Sequence, residues 1–356
     1  VAATGCARAH APRASVVLNV ADGSLNILLV IPGKLRTVPM GVFSAQALEA
    51  LGHRVAVFDD SLQPLDKLAR ALSRGVGLRL EERPFVNRRL RALLREFRPD
   101  LFLSVFGFGV SPRSLAAVRA ARVPSACWWI NDPFQFERSA ERAPGYDWVF
   151  SNSAVCAQWY RERGVAASGF LPTACEPSVH RPVAAVPEYA CELCFAGDWS
   201  PLREQVVARL AQRFEVRVFG PWGRKLAPDS PLRRVLRDGF FSPDEMAAMF
   251  SSAAVVLNLH SWQGRFDHGV NPRLFEAAAC GAFQVVDDKR EIASLFTPGA
   301  ELAVVPGPDD FAGAVADALA DPQGRARAGQ TALQRALAQH TYRHRMASLI
   351  SAMGAA

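Results

Sequence analysis

No stretch of the 356 residues approaches the run of about 20 apolar residues needed to cross a bilayer. The most apolar candidate, PDLFLSVFGFGV, has the length of a core strand. Cysteine offers no framework either. Cys6, Cys127, Cys156, Cys175, Cys191, Cys194 and Cys280 make an odd set at irregular spacing. That excludes a disulfide-stapled secreted scaffold and leaves buried, reduced thiols suited to a cytoplasm. A zinc site would need a second pair to match Cys191-Glu-Leu-Cys194, and the chain has none, so no metal is expected. Aromatic RNP-type strands and finger spacings are missing too, so no nucleic-acid partner is expected. Residues 1–24 lack the pattern of a secretory signal and read as an N-terminal extension. The expected location is cytoplasmic, with at most peripheral contact at the inner face of a membrane.

What is present is the material of cores. Half of the chain is hydrophobic and 21% is charged, the profile of a globular chain of about two domains. The formal charge of +7 is unevenly placed. Residues 1–185 carry 23 Lys+Arg against 15 Asp+Glu, and residues 186–356 carry 18 against 19. The basic excess is densest in ERPFVNRRLRALLREFRPD. That stretch is either a solvated helix face or a surface for anionic partners.

Short β-like runs alternate with amphipathic segments along the whole chain. NILLVI, RVAVFDD, PDLFLSVF, PSACWWIND and YDWVFSNS read as strands, with helices such as GVFSAQALEALGH and VNRRLRALLREF between them. After a proline-rich linker, EPSVHRPVAAVPE (176–188), the pattern restarts with CELCFAG, EVRVFG, AVVLNLH, FQVVDD and AELAVV. Near-continuous apolar strands separated by helices imply parallel sheets covered on both faces. The fold class is therefore α/β, with two doubly wound parallel-sheet domains in tandem and a cleft between their carboxyl edges, where such sheets bind ligands.

One segment concentrates chemistry: HGVNPRLFEAAACGAFQVVDD, residues 268–288. Gly269 permits a tight turn, Asn271 suits a cap, and Pro272 suits the first helical position. Free N–H groups at this helix start, together with the Arg273 fork, favour a phosphate. Two readings fit Glu276: an acid pairing with Arg273 one turn back, or a carboxylate that accepts from vicinal hydroxyls. Asp287 and Asp288 read as a turn.

The run GVNPRLFEAAACGAFQVVDD resembles the nucleotide-sugar helix of GT-B glycosyltransferases of the group 1 type, and most nearly that of the spore-maturation CgeB-like branch. WWINDPF, CFAGDWSPLREQVVARL, VRVFGPWG and HTYRHRMASLI resemble further pieces of that branch, so the likeness spans roughly residues 25–352. It implies two facing Rossmann-like domains: an acceptor domain over 25–180 and a nucleotide-sugar domain over 181–340. A last helix, 341–356, would pack back on the first domain. It also implies transfer of a hexosyl-type unit from a nucleotide-diphosphate sugar such as a UDP-sugar, without a metal and with retention. The acceptor would be a glycan, a lipid-linked glycan or a protein, with flagellin and surface polysaccharide as examples.

Carried over residue by residue, the resemblance gives Glu276 the ribose. The donor-sugar glutamate of the family falls on His268, a departure that puts the stereochemistry in doubt. Of the basic pair that neutralises the diphosphate, one position is Asp198 and the other is Arg203. The base pocket falls near Gly220, Trp222, Gly239 and Phe240. In the first domain Gly41 would approach the donor, and Asp132 is the candidate base for an acceptor hydroxyl, or else a turn residue before Pro133. Two other readings share the fold: a nucleotide-sugar epimerase, and a degenerate protein that binds sugar nucleotides without turnover.

Overall fold

The computed structural model describes residues 23–33, 37–75 and 81–354. The expected extension over 1–24, apart from Gly23 and Ser24, lies outside the described residues, as does Cys6.

The first domain is built on β1 (Asn26–Ile31), β2 (Arg54–Asp59), β3 (Leu101–Val105), β4 (Ser125–Trp129), β5 (Trp148–Ser151) and β6 (Ala167–Phe170). All pairings are parallel, in the order β2-β1-β3-β4-β5-β6. The reason β1 reads as an unbroken apolar run is visible in its packing. Ile27, Leu29 and Ile31 enter one core, while Leu28 and Val30 enter the other, on the opposite face of the sheet. The second domain repeats the plan with β7 (Cys191–Ala196), β8 (Val216–Gly220), β9 (Leu236–Asp238), β10 (Ala253–Asn258), β11 (Gln284–Asp287) and β12 (Ala303–Val305). Their order is β12-β11-β10-β7-β8-β9, again with parallel pairings.

In chain order the helices of the first domain are α1 (Met40–Ala50), α2 (Pro64–Gly75), α3 (Pro84–Phe97), α4 (Pro112–Ala120), α5 (Phe136–Ala140) and α6 (Ala154–Glu162). Those that follow are α7 (Pro201–Leu210), α8 (Pro243–Ser252), α9 (Arg273–Ala279), α10 (Ile292–Leu295), α11 (Phe311–Ala320), α12 (Pro322–Gln339) and α13 (Tyr342–Gly354). Serines cap α4, α6, α7 and α8, where Ser111, Ser153, Ser200 and Ser242 each accept an N–H from the first turn. The edge strands β6 (ASGF) and β9 (LRD) were not foreseen. Each is short, carries no β-branched residue and pairs on one side only.

The chain passes between the domains twice. Tyr342, Met346, Leu349, Ile350 and Met353 of α13 insert into the core of the first domain against α1. The proline-rich linker is also packed rather than loose. Val183 and Val186 donate their N–H groups to Ser251 and Ser252 at the end of α8, and His180 is completely buried.

Candidate functional site

In each sheet the strand order reverses beside the first strand: between β1 and β3, and between β7 and β10. At such a point the loops leaving the carboxyl ends diverge and open a crevice. In the second domain these are the loop after β7 (Gly197 to Ser200) and the long loop after β10 that ends at α9.

A pocket of ≈ 220 Å³ lies there, lined by Gly197, Asp198, Pro221, Phe240, Phe241 and Arg273, with Thr37 and Val38 of the first domain opposite. Arg273 is the cation of this pocket. Its Nε donates to the Ala196 carbonyl at 3.1 Å, its guanidinium lies 5.6 Å from the Phe241 ring centre, and Nη1 pairs with Glu276 Oε2. The remaining N–H groups of the fork make no hydrogen bond among the described residues. Glu276 is fully buried, and its other oxygen, Oε1, has no hydrogen-bond partner. Phe240, at 63% exposure, offers a free aromatic face on the wall formed after β9. The φ of +107° at Gly239 lets the chain turn there.

The helix start at Arg273 differs from the sequence expectation. The N–H of Leu274 donates to Asn271, and those of Phe275 and Glu276 donate to the Pro272 carbonyl. No cradle of free N–H groups remains, and α9 has only seven residues. Positive charge here comes from the Arg273 side chain. Asn271 accepts the Leu274 N–H on Oδ1 at 3.3 Å, as expected of a cap, and also ties down the loop: its Nδ2 donates to Asn258 Oδ1 at 2.7 Å and its own N–H to His260 Nε2 at 3.1 Å.

Four other expected site residues are built into the scaffold. Trp222 is fully buried, with its ring against Phe195 and its indole N–H on the Gly197 carbonyl at 2.8 Å, so no face is left for a base. Gly41 is required by packing, since a Cβ there would lie 2.5 Å from Ile31 Cγ2. Arg203 spends Nε and Nη2 on the Leu259 carbonyl and Nη1 on that of Asp198. Burial lowers its pKa to about 10, and it ties the two switch-point loops together. Asp132 is 1% exposed and accepts from three hydroxyls, those of Ser139, Ser151 and Tyr160. Burial raises its pKa to about 6. Sealed in this way, its carboxyl has no path to an acceptor hydroxyl.

His268 and Gly269 lie where the domains touch. The His268 Nδ1 is 2.7 Å from Ser153 Oγ at the start of α6, and the ring meets Trp159 edge-on. Burial lowers its pKa. Gly269, with φ +78°, packs so closely on Pro133 that a Cβ would sit 2.6 Å from Pro133 Cδ. Beside them Glu291 clasps both domains, accepting the Ala154 N–H at 3.0 Å and the Gly269 N–H at 2.7 Å.

The sequence reading missed four groups that organise this region: Glu291, His180, Asp287 and Lys289. Asp287, expected as a turn, is buried and accepts both the N–H and the ring Nδ1 of His260, and also Lys289 Nζ. Burial pulls its pKa up, but His260 and Lys289 outweigh that and hold it at about 2. The usable signal was a charged residue closing a buried strand. Among the described residues no cluster of three His, Cys, Asp or Glu side chains has metal-site geometry.

Comparison with solved structures sets this arrangement among known folds. Sucrose-phosphate synthase from Thermosynechococcus elongatus superposes with a TM-score of 0.66 at 14% identity, over 91% of this chain and 97% of that one. HepE of Anabaena, solved with UDP-glucose, gives 0.61 at 14% identity, over 92% and 100%. The fold is GT-B. A trehalose-6-phosphate synthase, studied for glycosyl transfer with retention, is likewise similar, with a TM-score of 0.61 at 14% identity over 92% and 99%. Residues 201–351 match the model of a glycosyl transferase-like family. No curated protein matches the sequence significantly. Within the GT-B frame, the matched segment contributes Phe240, Phe241 and Arg273 to the crevice, with Glu276 buried behind the arginine, and Thr37 and Val38 of the first domain close it.

Proposed function

We propose that the protein is a glycosyltransferase that takes its sugar from a nucleotide-diphosphate donor and hands it to an acceptor hydroxyl of a glycan, lipid-linked glycan or protein. The observation that carries this is the Arg273–Glu276 pair at the switch point. It sets a partly free guanidinium beside a pocket, with a buried carboxylate directly behind it. A fork of this kind suits a diphosphate, which it meets with two parallel charge-assisted bonds. As the bond to the leaving nucleoside diphosphate breaks, negative charge builds on the phosphate oxygens, and Arg273 stabilises it. Glu276 aims the arginine from behind; with no exposed surface it offers no lone pair to a ribose in this state, so the ribose contact expected of it is replaced by the pairing with Arg273. Phe240 supplies a face on which a base can stack.

Pockets for small ligands usually measure about 300–1,000 Å³. The ≈ 220 Å³ space at Arg273 therefore holds part of a nucleotide sugar, and the rest extends along the cleft. The similar solved structures with UDP-glucose and UDP-2-fluoro glucose make a UDP-sugar the first donor to try. The commitment of Arg203 to backbone carbonyls and of His268 to Ser153 favours a second reading, a binder without turnover.

A screen of nucleotide sugars by thermal stabilisation, followed by nucleoside-diphosphate release, tests the proposal. A ligand at 100 times its Kd should add about 2.7 kcal/mol to the folded state. Glu276→Ala should abolish both the stabilisation and the release. Stabilisation without release on any acceptor would favour the second reading, and no stabilisation at all would sink both.

A further inference from the structure

Two fully buried polar atoms stand without hydrogen-bond partners beside the site just described. Glu276 Oε1 and His180 Nε2 face each other at 3.9 Å, and both side chains are completely inaccessible to solvent. The tautomer of the histidine is set by its other nitrogen. The Glu176 N–H donates to Nδ1 at 2.9 Å, so Nδ1 is an acceptor and the ring proton sits on Nε2, aimed at the carboxylate. The Phe43 ring, edge-on at 5.8 Å, closes the space from the first domain. At 3.9 Å the contact is too long for a hydrogen bond. Leaving two such groups unpaired is costly enough in a buried setting to call for a reason.

The reason lies in where His180 sits. It belongs to the segment joining the domains, between an anchor on each. On one side Cys175 donates its N–H to the His340 carbonyl and accepts from the N–H of Tyr342, which opens the helix packed in the first core. On the other side Val183 and Val186 are bonded to α8 of the second domain. Cys175 itself packs with Leu274 and Phe275 of α9, so what ties His180 to the first domain is Val179 on the first core and the Phe43 ring against the imidazole. A change in the setting of the domains bears on His180 through these two contacts.

We propose that His180 is a positioning residue for Glu276: as the cleft closes, its Nε2–H shortens onto Oε1, locks the carboxylate with Oε2 toward Arg273, and so couples domain closure to the grip on the donor. This rests on the reading of the Arg273 pocket as the donor site. The role was invisible in the sequence because His180 lies in a linker and Glu276 lies 96 positions further along the chain. Glu276 and Arg273 of α9, Glu176 of the linker and Asp244 of α8 are the charged groups that bear on the ring.

The test uses the full chain, a UDP-sugar as probe, and two substitutions. His180→Leu keeps volume and removes the donor N–H, whereas His180→Gln places an amide N–H near the same point. The Leu variant should bind the UDP-sugar about tenfold more weakly, the worth of a hydrogen bond to a charged group. The Gln variant should recover to within about threefold of the wild type. Equal affinities for the two variants would overturn the proposal, whether both match the wild type or both are weakened. A second measurement does not depend on nucleotide or on the fold of the Leu variant. By NMR, His180 of the ligand-free protein should be the Nε2–H tautomer, and Glu276→Gln should lower its pKa. A pKa unmoved by that substitution would refute the coupling. If the wild type bound no UDP-sugar, the donor-site reading would fail, while the titration would still decide whether His180 is tied to Glu276.

Discussion

Arg273→Met is the most informative single perturbation of this site. Glu276 has no exposed surface, and among the described residues its side chain has one hydrogen-bond partner, Arg273 on Oε2, with His180 Nε2 3.9 Å from Oε1. Methionine preserves much of the arginine's length but removes the cation, so a buried carboxylate loses the one hydrogen-bond partner it has among the described residues. Breaking a buried pair from one side costs about 3–5 kcal/mol. At about 2–4 °C per kcal/mol for a domain of this size, the unfolding midpoint of the second domain should fall by about 6–20 °C. The reverse change, Glu276→Gln, should cost less. The Arg273 side chain is 14% exposed and can turn its charge to water. The double variant should then recover most of the loss, giving a coupling of about 2–3 kcal/mol. Two-domain unfolding need not be two-state. The appropriate assay is amide hydrogen exchange read on β7 and α9, with thermal melts as a check. A loss below about 1 kcal/mol for Arg273→Met, or additive single and double variants, would refute this account of the pair.

Two further outcomes follow from the scaffold. Burial holds Asp132 at a pKa of about 6, above the roughly 3.9 of an unfolded chain, so the folded state binds this proton more tightly. Its contribution to stability is therefore complete below about pH 4 and is lost as pH rises through about 6, a span worth roughly 3 kcal/mol. Asp60, raised to about 6 by its own burial, adds to the same window. The buried histidines, whose pKa values are lowered, slope the other way in this window. Asp132→Asn should thus remove a decline of roughly 3 kcal/mol between about pH 4 and 6 relative to the wild type, and an unchanged pH dependence would refute the buried reading. Glu291→Ala removes the acceptor shared by Ala154 of the first domain and Gly269 of the second. Each is a hydrogen bond to a charged group worth about 1.5–3 kcal/mol, so the interface should loosen and limited proteolysis within 176–188 should speed up at least tenfold. Cleavage at the wild-type rate would show that the clasp does not hold the domains together.

Much of the architecture was legible along the chain. Alternation inside NILLVI and its relatives reports two covered sheet faces, and the restart after the prolines at 177, 182 and 187 reports a second sheet. The strands that escaped notice, ASGF and LRD, are edge pieces with too few β-formers to register. The site was legible in part. Arg273 and Phe240 line one crevice with Glu276 buried behind the arginine. The Arg273–Glu276 spacing was legible because a loop–helix segment carries its own geometry, and Phe240 came from the family resemblance. The fates of Trp222, Arg203, Gly41 and Asp132 were not legible. Whether an indole stacks on a ligand or fills a core depends on Phe195, 27 positions away, and whether a carboxyl is a base or a sealed acceptor depends on Ser139, Ser151 and Tyr160.

The division has a physical reason. Periodicity, capping and turn chemistry act over a few residues, so the sequence alone determined two parallel α/β sheets, their order along the chain and the placing of an arginine and a glutamate one turn apart. Burial, proton affinity and the partner of each polar atom are set by whatever the fold brings within a few ångströms. Only the tertiary structure therefore decided that the helix start carries no free N–H cradle, that His268 faces Ser153, and that a linker histidine stands against the carboxylate behind the pocket.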